Sequence, residues 1–344
     1  MLRRKQSLPD LCAVLADVVE RADEEAFPAA HDAVVRRARK AGTAERTAAL
    51  EVLAPAVAGV RLGNGAPLAV LAGNLVELGA APGAALGVLA ERVAEGLERA
   101  ARFAERWQAL AGEEDLPDPA DDEAVPGVLA RLAPGEQDLA EAWFTVGDWI
   151  PALLVPLQRR EVRRDLPHRE RLAAAVAAAP EELPATHWLA GLLQVLDDET
   201  LVVVHRATGR AYQVTISGVG DNFQLHTLLA ATLIGDGARG LVPGDRPAPE
   251  WIAAATDGPP QPPNGIHGSF NLVDAHGKWI WNEGRPADIP PFHGHRVVVL
   301  DPPPYPRAWN AGRAYPLMRP EVTLDRVLPA DEAARWAAAV APSG

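Results

Sequence analysis

Apolar residues recur every third or fourth position through the first hundred residues, the period of helices that bury one side. Leu11, Val14, Leu15, Val18 and Val19 predict a first helix. Pro28 suits the opening turn of a second, which Gly42 closes, and Thr43 is placed to cap a third with Glu45 in its first turn. Gly63-Asn64-Gly65 predicts a break with a restart at Pro67, and Gly79 with Pro82-Gly83 predicts another. The best-defined stripe comes next: Leu86, Leu89, Val93, Leu97, Ala100, Phe103, Trp107 and Leu110. Its charged flank places Glu95 before Arg99 and Glu98 before Arg102, the favourable i,i+4 order. No fixed repeat period emerges, so the pattern favours a bundle over a solenoid.

The pattern lapses at 113–126, where seven acids and three prolines stand without a basic residue. Such a run cannot bury itself and predicts an exposed linker between a helical domain, 1–112, and an α+β domain, 127–344. The second domain is expected to begin helically, to about residue 196, with an aromatic segment at Trp143, Phe144 and Trp149. Four arginines at 159, 160, 163 and 164 form its main basic cluster, and interleaved Glu161 and Asp165 make a salt-bridged helix face the simpler reading.

From Leu201 the texture turns β-branched. Leu201–His205 and Tyr212–Ile216 flank an Ala207-Thr208-Gly209-Arg210 turn and predict a hairpin. Asn222–Ile234 reads as an apolar helix, and Gly235–Pro263 as Gly- and Pro-rich, with one short helix around Trp251–Ala255. Further strands are expected at Ser269–Val273, Lys278–Asn282, Arg296–Leu300 and Glu321–Leu324, and a closing helix capped by Asp331. Hairpins without regular strand–helix alternation predict an antiparallel or mixed sheet, so the fold class is α+β with a bundle-like helical N-terminal domain.

Charge and composition narrow the function classes. A net charge of −13 argues against nucleic acid and anionic lipid as broad partners. The apolar uncharged run Leu62–Val76 is fifteen residues and carries Gly and Pro, short of the roughly 20 apolar residues a membrane span needs. Met1-Leu2-Arg3-Arg4-Lys5 resembles the start of an export signal, but Asp10, Asp17, Glu20 and Asp23 interrupt the apolar stretch that export would need. The lone Cys12 permits no intrachain disulfide, and a cytoplasmic setting is expected. Three lysines against thirty arginines, with abundant alanine, fit GC-rich coding of a bacterial kind.

Candidate chemistry gathers late in the chain, where seven of nine histidines follow residue 185. His293-Gly294-His295 is the closest pair; in an extended segment both rings would share a face and offer a metal two ligands, with His226, His267 or Asp301 as the third. Gly218-Val219-Gly220-Asp221-Asn222 sits where phosphate loops occur, but Phe223 replaces the third glycine and no Walker lysine follows, so neither a dinucleotide nor a P-loop motif is present. A turn capped by Asp221 or Asn222 accounts for the same residues. Asn222 and His226 share one helical face and hint at a pocket. Asp301 ends an apolar strand, and Arg307 follows in a proline-fixed loop, either as an anion site or paired with Asp301. Trp279 and Trp281 form either a recognition platform or sheet core.

Two functions are therefore expected. One is a non-catalytic binding or accessory protein acting through a protein partner. The other is an enzyme, with or without a metal, whose pocket draws on Asn222, His226, Asp301 and Arg307, with His293 and His295 as metal candidates and a small molecule as ligand.

Overall fold

The computed structural model describes residues 6–259, 265–310 and 312–342. It is an α+β protein whose helical part precedes a mixed sheet. The basic start at residues 1–5 and the end of the Gly- and Pro-rich stretch, 260–263, lie outside the described residues. Contacts divide the chain into two units, one running to Leu157 and taking in Glu161–Leu193, the other holding Gln158–Arg160 and the described chain from Gln194 on.

The first unit contains α1 (Leu8–Glu20), α2 (Phe27–Ala38), α3 (Thr43–Gly59), α4 (Leu62–Glu77) and the long α5 (Gly83–Ala111). Shorter helices succeed them: α6 (Val125–Arg131), α7 (Gln137–Trp149), α8 (Pro151–Leu154), α9 (Arg160–Arg164), α10 (Arg169–Ala177) and α11 (Ala185–Gln194). Ser7 opens α1 with a capping box, its hydroxyl accepting from Asp10 N while the Asp10 carboxylate accepts from Ser7 N. Helix α3 is capped by Gly42 rather than Thr43, and Glu45 instead accepts the Leu8 N–H at 2.9 Å and pairs with Arg37. The stripe on α5 is buried from Leu86 to Trp107, and Leu110 at its end is exposed. Glu95 pairs with Arg99 as the spacing predicts, whereas Glu98 turns away from Arg102 to hold Arg171 with both oxygens at 2.8 Å.

Two sequence expectations change in this unit. Gly63, Asn64 and Gly65 lie inside α4, because the chain breaks earlier, at the extended Val60 and Arg61. The glycines serve close approach: a Cβ on Gly65 would stand 2.4 Å from the Trp149 ring, and one on Gly73 would stand 2.4 Å from the Ala152 carbonyl oxygen. The acidic run 113–126 is exposed at its carboxylates but is not a boundary between units. Trp107 Nε1 donates to Asp115 O and Trp143 Nε1 to Pro117 O, each at 3.0 Å, and Trp143 stacks on Phe103 of α5 at 5.2 Å. The run is a strap that ties α7 back to α5, so the helices after it belong with those before it.

The second unit is built on β1 (Glu199–His205), β2 (Arg210–Ser217), β4 (Asn271–Asp274), β5 (Pro291–Phe292), β6 (His295–Asp301) and β8 (Glu321–Val327), with β3 (Ile266–His267) and β7 (Ala308–Trp309) forming a separate pair. The main sheet runs β4-β6-β1-β2-β8, with β5 also on β6. Only β1 and β6 run parallel among these named strands. Alternation along the strands sends Leu201, Val203, Val214 and Val298 to one face, under α12 (Asn222–Leu233) and α13 (Pro249–Ala255). Val202, Val204, Val297 and Val299 go to the other, under α14 (Ala330–Ala339). Lys278–Asn282 is not a strand: it returns from the turn at Asp274–Gly277 and meets β4 through a single bridge, Val273 to Trp279, because its next carbonyls serve other partners, Trp281 O accepting from Asn222 Nδ2 and Gly284 N and Asn282 O from Phe223 N. Pro329 rather than Asp331 precedes α14, and Asp331 pairs with Arg335. Among the described residues no helix is long and apolar enough to cross a membrane.

Candidate functional site

Helix α12 carries the site's first two residues, and its start is fixed by the chain around it. Gly218 takes a left-handed turn at φ 63°, and Asp221 then caps the helix, its Oδ1 accepting Gln224 N at 2.8 Å. The next two free N–H groups are also taken, Asn222 N by Gly284 O at 2.9 Å and Phe223 N by Asn282 O at 3.1 Å. With those donors spent, the helix start offers no cradle to a phosphate, in keeping with the incomplete glycine motif. Burial pushes the Asp221 carboxyl up to about 6, against the pull of backbone N–H groups at Gln224 and Phe223.

Asn222 and His226 lie on one face of α12, both almost fully buried. Asn222 Nδ2 donates to Trp281 O at 2.8 Å. His226 Nε2 lies 3.0 Å from Phe270 N and 3.1 Å from Phe270 O, so this nitrogen serves the Phe270 backbone in either tautomer. Burial drives its pKa down to about 4, with the Arg307 charge adding to the shift, and the ring is neutral at pH 7. The Trp309 ring meets the imidazole edge-on, 4.9 Å between centroids.

Arg307 reaches the same corner, donating through Nη2 to Phe270 O at 3.0 Å and Asn271 Oδ1 at 3.3 Å. Asp301 lies opposite Asn271 in the register of β4 and β6. It binds Arg206 at 2.6 Å, and Arg206 also holds Ala341 O near the end of the described chain. Asp301 is thus an anchor for Arg206, while Arg307 supports the strand entering β4. His205 completes the surroundings, its ring 5.8 Å from Phe270 and its Nδ1 2.8 Å from Thr208 Oγ1, with burial lowering its pKa.

The structure therefore brings His226 and Arg307 together at Phe270–Asn271, with Asp301 opposite Asn271, while Asn222, one turn from His226 on α12, is bonded to Trp281 instead. Arg206, His205, Asn271 and Trp309 belong to this corner and were not legible as members. Arg206 joins through the Asp301 carboxylate, Asn271 through its side-chain oxygen on Arg307, and His205 and Trp309 through ring contacts, most of them distant in sequence and without a local pattern. The polar groups mostly grip main chain; a void of about 10 Å³ lies beside Trp309, lined by Phe223, Gln224 and Thr227 of α12 and by none of Asn222, His226 or Arg307. Through these bonds the corner fixes strand β4 and helix α12 to each other.

His293 and His295 lie elsewhere. Phe292 pairs with His295, so His293 and Gly294 form a two-residue hairpin turn with φ of 49° and 81°. The shared-face argument assumed extended backbone, which this turn replaces. The His293 ring lies on Phe292 at 4.2 Å and the His295 ring on Trp336 at 5.8 Å, both on the sheet face opposite α12. Among the described residues no group of three or more His, Cys, Asp or Glu side chains is placed to hold a metal. Replacing His293 with glycine is expected to raise stability by about 1 kcal/mol, because a side chain at positive φ is strained. An unchanged or lowered urea midpoint would show that the imidazole contributes more than the turn costs it.

No protein-family model matches the chain, and no curated protein or solved structure matches it either.

Proposed function

We propose that the chain is a non-catalytic binding protein whose C-terminal unit engages a protein partner through Trp281. The carrying observation is a large exposed aromatic on fixed main chain. Trp281 is 68% exposed. Its carbonyl accepts from Asn222 Nδ2 and from Gly284 N, the preceding Ile280 N donates to Leu272 O at 2.9 Å, and the following Asn282 O accepts Phe223 N. Trp279, 6.0 Å away between ring centroids, packs on the sheet and backs the exposed ring. A tryptophan held this way loses little conformational freedom on binding, which is what makes such residues interface anchors. Exposed Lys278 and Glu283 flank it and supply a polar rim. Asn222, read from sequence as a pocket residue, here becomes the positioning group for the platform.

A protein partner suits the net charge of −13 better than nucleic acid does. Cys12, unreactive because burial pushes its thiol up to about 12, is compatible with a reducing, cytoplasmic setting. An enzymatic role has less support, since Asn222, His226 and Arg307 are spent on backbone groups.

Parallel capture with the full chain and with Trp281→Ala tests the reading. A partner retained by the wild-type chain and lost by the variant, with both melting at the same temperature, is the expected result. Identical captures by the two proteins would remove Trp281 from the interface and the proposal with it.

A further inference from the structure

The indole N–H of Trp309 is buried without a protein partner. Trp309 also borders the void of about 10 Å³, whose wall includes Phe223, Gln224 and Thr227 of α12 and Ala255 of α13. That volume is about enough for one water molecule. Whether such a space is dry depends on the polar capacity of its wall. Thr227 Oγ1 gives its proton to Phe223 O at 3.1 Å and keeps its lone pairs. Gln224 accepts Gly220 N at 2.8 Å and donates one proton to Ala255 O at 2.9 Å, which leaves a second amide proton. The wall thus carries two surplus donors, on Trp309 and Gln224, and a surplus acceptor on Thr227. A single molecule that both accepts and donates satisfies all three.

We infer that this void is a hydration site, holding one ordered water that accepts from Trp309 Nε1 and donates to Thr227 Oγ1. The water ties the β3–β7 pair to α12. That pair otherwise meets α12 through rings, Trp309 against Phe223 at 5.5 Å and against His226, while Ile266 and Trp309 pack on Ala254 and Trp251 of α13. The inference is independent of the partner reading, which rests on Trp281.

The test uses the full-length chain labelled with nitrogen-15. The Trp309 indole resonance is the one missing from Trp309→Phe, and it is expected to show a cross-peak to a long-lived water. Thr227→Val keeps the side-chain shape and removes the acceptor, so the cross-peak is expected to vanish while the remaining indole resonances hold their positions. A wild-type crystal structure gives a second readout should either variant fail to fold. A water about 2.7–3.2 Å from both Trp309 Nε1 and Thr227 Oγ1 is expected there. A dry void, an indole bonded directly to a protein carbonyl, or a cross-peak undiminished in Thr227→Val would each overturn the assignment.

Discussion

Replacing Gly65 or Gly73 with alanine is expected to destabilise the helical unit by about 1–3 kcal/mol per substitution, although alanine is the better helix former. Both glycines lie within α4. A methyl on Gly65 would enter the Trp149 ring, whose indole is fixed by a 2.8 Å hydrogen bond to Leu62 O, and one on Gly73 would meet the Ala152 carbonyl oxygen. Neither neighbour is the free end of a flexible side chain, so relief requires α4 to move away from α7 or α8. Gly147 is the internal control: it is helical too, in α7, and a Cβ there meets nothing within 4 Å. Gly147→Ala is expected to stabilise by about 0.5–1 kcal/mol. Urea unfolding of the three variants followed by helical circular dichroism decides the matter. The same sign of change at positions 65, 73 and 147 would mean that propensity, not close approach, governs α4.

Those glycines also show where reading a sequence reaches its limit. Gly63-Asn64-Gly65 has the composition of a chain break and the structure of a helix, because a missing side chain serves flexibility and close packing equally. The stripe of α5, the β1–β2 hairpin and the start of α12 were legible, since each is a local pattern tied to a period or a turn residue. The strap at 113–126 was not: its acids do face water, but its main chain is gripped by Trp107 and Trp143, and the sequence of the strap holds no trace of them. The Asn222–His226 face was legible from helical spacing alone. Its partners, Trp281 O for Asn222 and the Phe270 backbone for His226, were not, because the contacts run to backbone atoms across 59 and 44 residues of separation. His293-Gly294-His295 failed differently, as extended chain and hairpin turn place the same two rings in different surroundings.

Acid titration separates two groups of α12, its half-buried cap Asp221 and the buried His226. For His226 the folded pKa, about 4, lies below the ordinary 6.5. Between those values the unfolded chain binds the proton and the folded one does not, so stability falls as pH drops from 6.5 toward 4, by about 3 kcal/mol at most. For Asp221 the folded value, about 6, lies above the ordinary 3.8. Here the folded chain binds the proton first, so stability rises as pH drops from 6 toward 3.8, by a similar amount. The two slopes nearly cancel in the wild type. Asp221→Asn keeps a competent helix cap and removes one of them. Relative to wild type, this variant is expected to lose stability progressively as pH is lowered from 6 to 4, an increment of about 2–3 kcal/mol from denaturant unfolding at each pH. His226→Gln is expected to change in the opposite sense over the same window, gaining stability relative to wild type as pH falls. Parallel profiles for wild type and Asp221→Asn would mean that water reaches the Asp221 carboxylate in the folded chain, and the sealed corner around α12 would then have to be redrawn.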